Sequence, residues 1–319
     1  MTDQGGYQHE ALCFSSDDEL VATLVPFLVG DLDPADTAMV VCTPRTRSVL
    51  RAALGDDTRI RYSDSAVVYR RTPQAILAFK EMIEERVAAG APRARVVGEV
   101  EFGRTPAEWI EWVRFEAVIN HALAPYPVTG LCIYDTRRLA PEVVATAPRT
   151  HPTLWSGGTR VPSSSYVEPR ELLDELPAPG PDPLEVTAPV FADSEVTDLR
   201  ALRRALHEAL GVSTLPAATV NEFTFAVSEV VTNAVRHGDP PVSVLAWADA
   251  DRLLCAVTDQ GKGIDNPFAG YVPAHSDPAR GGLGLWLARR LCDHVELERS
   301  PAGFTVRLST GPGRPDSGS

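Results

Sequence analysis

The sequence predicts two domains of different architecture: an α/β domain on a mostly parallel sheet, then an α+β domain with helices on one face of a mixed sheet. Three observations carry this. The first half alternates short, nearly continuous apolar runs with longer amphipathic ones, as a parallel sheet covered on both faces requires. The second half groups two helices ahead of hairpin-like strands. Between them prolines crowd together: Pro152, Pro162, Pro169, Pro177, Pro179, Pro181, Pro183 and Pro189. The 319 residues suffice for two such domains. The expected division is a first domain over 1–156, a linker over 157–190, a second domain over 191–310 and a disordered tail over 311–319.

In the first domain, ALCF (11–14), TAMVVC (37–42), RARVVGEV (93–100) and VTGLCIY (128–134) read as buried strands. The helices between and after them span 17–30, 44–54, 73–90, 106–123 and 141–147. Several begin on proline, whose missing donor is harmless in a first turn. The segment EPRELLDEL is a short helix candidate, and LPAPGPDPLEV after it reads as a semi-rigid extended connection. In the second domain, helices over 193–211 and 215–238 precede strands over 240–248 and 252–261. A loop rich in Gly, Pro and Asp follows, then a helix over 281–294 and the strands VELERS and GFTVRLS.

Composition narrows the function. Acidic residues number 43 and basic ones 30, a net charge of −13, which disfavours a protein built to grip nucleic acid phosphates. Cys13, Cys42, Cys132, Cys255 and Cys292 are scattered singly, mostly in apolar runs, and read as buried reduced thiols. The first residues lack a signal-peptide pattern and no uncharged apolar stretch is long enough for a bilayer, so a cytoplasmic protein without membrane contact is expected.

Three segments of the second half carry chemistry. In SEVVTNAVRHG, Glu229 and Asn233 stand four apart and share a helix face, and His237 extends the stripe by a turn. A carboxylate beside a carboxamide on a largely buried helix is costly without partners or work. Asn offers a neutral oxygen to a hydrated Mg²⁺, and Glu can accept a proton from an attacking hydroxyl or water. In VTDQGKGI, Asp259 ends a strand where it can accept from an exocyclic amine, and Gly261 and Gly263 allow close approach. RGGLGLWLARRL runs from a glycine-rich turn (Gly281, Gly282, Gly284) into a helix whose first amides suit a phosphate.

In this order the three segments resemble the GHKL ATPase family, the Bergerat fold, over roughly residues 192–310. The resemblance implies an N box at Glu229 and Asn233, a G1 box at Asp259, Gly261 and Gly263, and a G2 box at Gly282, Leu283 and Gly284. It implies that ATP and Mg²⁺ bind, that Asn233 ligates the metal, that Asp259 reads the adenine amino group, and that a lid between G1 and G2 covers the phosphates. Arg236 aligns with a basic position that meets phosphate in relatives, and His237 beside it joins the nucleotide-binding set. Within the family the N box, short lid and GGLGL turn are most similar to the anti-sigma-factor serine kinase branch. That implies serine or threonine phosphorylation of an anti-anti-sigma (STAS-domain) partner, with Glu229 as general base, and sequestration of a sigma factor. The family also suggests a homodimer. Two alternatives stay open: a histidine-kinase-like enzyme, and a non-catalytic module whose binding ATP gates. His207 reads as a solvated helix face, since no long dimerising hairpin precedes it.

The segments HEALCFSSDDEL, RVVGEVEFGR, WVRFEAVINHAL, LCIYDTR and THPTLW resemble the MEDS sensory domain of prokaryotic regulators, over roughly residues 5–156. This implies a RecA-like fold with a degenerate nucleotide site and a small-molecule effector. No GxxxxGK[ST] occurs, and Lys80 lies inside an amphipathic helix. His9, His121 and His151 read as strand-edge histidines, with ligand contact the alternative for His9. Glu99 and Glu101, with Arg104 nearby, sit where open α/β sheets bind ligands, and a surface salt bridge explains them equally well. Trp109, Trp112, Phe115 and Ile119 form a core or interface stripe, and Lys262 reads as exposed charge.

Overall fold

The apolar runs of the first half form a seven-stranded sheet. The computed structural model describes residues 6–30, 37–90, 93–103, 105–177, 182–271, 283–301 and 303–311. Along the first half run β1 (Gln8–Phe14), α1 (Asp17–Val29), β2 (Ala38–Cys42), α2 (Pro44–Leu54), β3 (Ile60–Asp64), α3 (Ser65–Val68), α4 (Thr72–Ala88), β4 (Ala94–Gly98) and α5 (Pro106–Leu123). They are followed by β5 (Val128–Asp135), α6 (Pro141–Val144), α7 (Ala147–Thr150), β6 (Thr153–Ser156), β7 (Thr159–Pro162) and α8 (Pro169–Glu175). The strand order is β3-β2-β4-β5-β1-β6-β7, parallel throughout except for the β6–β7 hairpin. Every residue of β2 and β5 is buried, because helices cover both faces. Leu12, Phe14, Val40, Leu131 and Ile133 pack under α1 and α2; Phe79, Ile83, Phe115 and Ile119 of α4 and α5 meet the other face.

Three strands here were not expected. IRYSD of β3 lacks a continuous apolar run because it lies at the sheet edge, and only Ile60 is buried. The β6–β7 hairpin turns on Gly157 and Gly158, both at positive φ (56° and 77°), where a two-residue loop favours glycine. Its turn and second strand fall in the start of the expected linker, and its first strand in the expected first domain.

The chain forms two compact units, Met1–Leu176 and Pro177–Ser319. The expected short helix is present as α8, and it packs on α5 and α7 within the first unit. In the second unit Pro183–Val186 forms a 3-10 turn with proline at its start, capped reciprocally by Asp182 and Glu185. That turn is anchored on the sheet: Leu184 packs with Trp247, Leu254 and Ala256, and the Trp247 indole donates to Thr187 O at 3.1 Å. Arg307 pairs with Glu185, and Arg252 with Asp182. Proline spacing shows that a segment is not a long helix; it does not show that the segment is unattached.

Beyond the turn come β8 (Phe191–Asp193), α9 (Leu199–Leu210), α10 (Ala217–His237), β9 (Ser243–Ala248), β10 (Leu253–Asp259), α11 (Gly284–Leu291), β11 (His294–Ser300) and β12 (Gly303–Thr310). The five strands are ordered β11-β12-β10-β9-β8, and all four pairings are antiparallel, so the sheet is not mixed. The helix predicted from residue 193 starts only at Leu199, where Asp198 accepts from the Arg200 and Ala201 amides. Leu202, Leu206 and Leu210 of α9, then Phe223, Val227 and Val231 of α10, bury against Val244, Cys255, Val257 and Val306. His207 on α9 is exposed. Gly311 donates to Asp293; residues 312–319 of the expected tail lie outside the described residues.

Candidate functional site

Helix α10 carries the first part of the site. Its hydroxyl side chains satisfy themselves locally, with Thr224, Ser228 and Thr232 each donating to the carbonyl four residues back. Glu229 and Asn233 have no such outlet. Both are half-buried, and among the described residues neither side chain makes a hydrogen bond or ion pair. Polar groups held on a packed helix without partners are rare unless something else supplies them. Arg236 and His237, in the last turn of α10, are exposed and also unpaired among the described residues.

The end of β10 meets the end of α10. Asp259 is 5 % exposed, and its Oδ1 accepts from the Gly261 amide at 2.7 Å and from the Asp239 amide at 3.4 Å. The Gln260 amide donates to Asp239 O at 2.8 Å, closing the join. Both donors reach the same oxygen of the carboxylate. A β-carbon at Gly238 would stand 2.5 Å from Asp259 Cγ, and one at Gly261 2.6 Å from Oδ1. These glycines are therefore required by the carboxylate itself. Gly263, at φ +73°, has a different neighbour: its missing β-carbon leaves room for the Phe304 ring, 2.3 Å away.

The start of α11 completes the set. A β-carbon on Gly284 would lie 2.4 Å from Asn233 Nδ2, so the glycine turn and the helical carboxamide are immediate neighbours. Leu283 caps α11 through its backbone, with the Leu287 amide donating to Leu283 O at 2.8 Å. Gly281, Gly282 and the expected lid over the phosphates lie outside the described residues. Arg289 of α11 is buried; it donates to Ala269 O and Val295 O and lies 4.1 Å over the Tyr271 ring. It thus ties the end of the described G1 loop to the helix that follows. The structure therefore joins Asn233 to Gly284, and Asp259 to Gly261 and Gly238. It places Gly263 against Phe304 instead, and Lys262 is exposed.

Other candidates resolve structurally. Glu99 is buried and accepts from Thr43 N at 2.8 Å and Thr43 Oγ1 at 3.0 Å, supporting the start of α2, and Glu101 accepts from Ser65 Oγ. Arg104 lies outside the described residues. Trp112, Phe115 and Ile119 are core. Lys80 pairs with Glu84 on α4. His9 and His151, expected at strand edges, are fully enclosed, with ring centroids 3.9 Å apart and ring planes tilted by 43°. Sequence spacing gave no sign of this, because the two rings are 142 positions apart and meet only through tertiary packing.

Comparison with known proteins falls on the same two units. The family described as "MEDS: MEthanogen/methylotroph, DcmR Sensory domain" matches residues 8–152, and the family described as "Histidine kinase-like ATPase domain" matches residues 192–310. The chain carries a MEDS domain followed by a histidine kinase-like ATPase domain. The chain is similar to the serine-protein kinase RsbW of Bacillus pumilus, 35% identical over 104 residues, covering 28% of this chain and 64% of that protein. It is also similar to the anti-sigma F factors of Clostridium beijerinckii (32% over 94 residues; 27% of this chain, 66% of that protein) and Clostridium acetobutylicum (30% over 86 residues; 25% and 60%). The chain thus spans under two thirds of the length of these relatives. Among the described residues no helix is long and apolar enough to cross a membrane.

Membership of the ATPase domain in this family implies ATP, usually with Mg²⁺, and the residues present suit both. Asn233 offers an unpartnered oxygen, Asp259 an anchored carboxylate, and Gly284 a backbone that no side chain shields from Asn233.

Proposed function

We propose that the ATPase domain is a serine/threonine protein kinase that phosphorylates an anti-anti-sigma protein of the STAS type and binds a sigma factor, under control of an input received by the MEDS domain. The observation that carries this is the pair of unpartnered side chains Glu229 and Asn233 on α10, with Asn233 directly against Gly284. The kinase and anti-sigma names of the relatives support the same reading. Asp259 accepts from the adenine amino group, and the Gly261 amide keeps its carboxylate in place. Asn233 holds Mg²⁺, which when bound neutralises charge on the phosphates. Leu283 and Gly284 present backbone amides to phosphate at the start of α11, with Arg236 and His237 as flanking cations or donors. Glu229 accepts the proton of the attacking serine or threonine hydroxyl as its oxygen bonds to the γ-phosphorus and ADP leaves.

The first unit supports a sensory role of a RecA-like domain that has lost its nucleotide site. After β1 the chain passes straight through Ser15 and Ser16 into α1, whose first turn is Asp17, Asp18 and Glu19, and acids at a helix start repel phosphate. Four of the five free cysteines are buried, in keeping with a reducing cytoplasm.

The test is incubation of the full chain with γ-labelled ATP, Mg²⁺ and a panel of STAS proteins. Acid-stable label on serine or threonine is expected. Acid-labile label that disappears in His207→Ala assigns the histidine-kinase chemistry instead. Nucleotide binding without transfer, with partner regulation intact in Glu229→Ala, leaves the ATP-gated module.

A further inference from the structure

The first unit encloses four ligand-type side chains that its fold delivers from four separate elements. His9 on β1 and Cys132 on the paired β5 project from the sheet face covered by α5, which contributes Glu116; His151 arrives from the turn between α7 and β6. Their exposures are 2, 8, 0 and 0 %. His9 Nε2 lies 3.3 Å from Cys132 Sγ and 3.3 Å from Glu116 Oε2. The same Oε2 lies 3.6 Å from Cys132 Sγ and 3.5 Å from His151 Nε2, and all four ligand atoms fall within 4.8 Å of one another.

The hydrogen bonds behind the rings decide what the rings present. Asn120 Nδ2 donates to Glu116 O and Thr150 O, which fixes the amide so that Oδ1 meets His9 Nδ1 at 3.0 Å. An amide oxygen only accepts, so His9 carries its hydrogen on Nδ1 and a lone pair on Nε2. His151 Nδ1 meets Ala147 O at 2.9 Å, with the same consequence. Two imidazole lone pairs therefore converge on a carboxylate oxygen and a sulfur. Glu116 Oε1 and His151 Nε2 are buried with no hydrogen-bond partner. The Cys132 thiol donates to Glu116 Oε2, which leaves both imidazole lone pairs without a hydrogen, and a cation at the centre bonds to all four groups at once.

The dimensions identify the cation class. Ligand atoms at about 2.0–2.3 Å from a tetrahedral zinc stand roughly 3.3–3.7 Å from each other; four of the six separations match this, and the two from His151 to His9 and to Cys132 are within 4.8 Å. The ligand types are those of zinc, and the two outward nitrogens have the supporting hydrogen bonds that zinc-binding histidines use. A thiolate and a carboxylate also cancel a dication, so the enclosed site is neutral overall. We propose that His9 Nε2, His151 Nε2, Glu116 Oε2 and Cys132 Sγ form a closed tetrahedral Zn²⁺ site in the core of the first unit. Binding releases the Cys132 thiol proton to solvent. With four protein ligands the site is structural: it fastens β1, β5, α5 and the α7–β6 turn to one point. It is independent of the nucleotide site of the second unit.

The experiment titrates the metal-free full chain with Co²⁺ and then displaces it with Zn²⁺. About one equivalent should bind, giving intense tetrahedral d–d absorption and a thiolate-to-cobalt charge-transfer band, both bleached by zinc. Cys132→Ser should remove the charge-transfer band and weaken zinc binding by about 100-fold or more, and Asn120→Ala should weaken it about 10- to 100-fold while keeping the band. Absence of a tetrahedral spectrum in the wild-type chain overturns the proposal, and so does its persistence unchanged in Cys132→Ser. The wild-type titration decides the matter even if a variant fails to fold.

Discussion

A β-carbon added to Gly284 would stand 2.4 Å from the Asn233 side-chain nitrogen, so the glycine that opens α11 is the steric condition for the carboxamide's position on α10. Gly284→Ala must move Asn233. The backbone at Gly284 is helical, so alanine brings no conformational strain and changes stability by at most about 1 kcal/mol. ATP affinity should fall by at least about tenfold, roughly 1.4 kcal/mol, by calorimetric titration. Wild-type affinity in this variant would remove Asn233 from the nucleotide site.

Asp259→Asn separates the two jobs of that side chain. The amide oxygen can keep the bonds from Gly261 and Asp239, so the fold should survive. The second carboxylate oxygen becomes an NH₂ group, which cannot accept from an exocyclic amine. Discrimination of ATP over GTP should drop by about tenfold or more, read from competitive displacement of a fluorescent nucleotide. An unchanged ratio means that another group reads the base.

Glu229→Gln keeps the size of the side chain and removes its basicity. Phosphoryl transfer to the acceptor should slow by about 10²- to 10⁴-fold, while the nucleotide-induced rise in melting temperature stays within error of the wild type. Loss of both together would point to a structural role for Glu229.

Gly263→Ala puts a β-carbon 2.3 Å from the Phe304 ring on a residue at φ +73°. Strain and overlap together should cost about 1–3 kcal/mol, seen as a lower urea midpoint. Gly263 has its defined neighbour in Phe304, so the stability loss should appear with or without nucleotide.

Acid sensitivity should trace partly to Asp135 in the first unit. The Arg137 guanidinium and backbone hold its carboxyl below the usual carboxylate range, through hydrogen bonds of 2.7, 2.8 and 3.0 Å. A group lowered on folding stabilises the folded state above its unfolded value near 4, and that contribution disappears as pH falls through the folded value. Asp135→Asn should therefore destabilise at pH 7, by about 1–3 kcal/mol, and lose that effect towards pH 3. Equal destabilisation at both values would show that the carboxylate's charge is not responsible.

What the sequence alone determined is local in origin. Strand and helix positions follow from short apolar runs, amphipathic spacing and proline starts. The N, G1 and G2 boxes were recognisable because each lies within a few residues on one element, where helical spacing already joins Glu229 to Asn233. The antiparallel sheet, the edge strand Ile60–Asp64 and the attachment of Pro183–Val186 to the back of the sheet were settled by partners far along the chain. So were the contact of Gly284 with Asn233 and the meeting of His9, Glu116, Cys132 and His151. A histidine enclosed in a core and one at a strand edge have the same neighbours in sequence, and only long-range packing removes one of them from water.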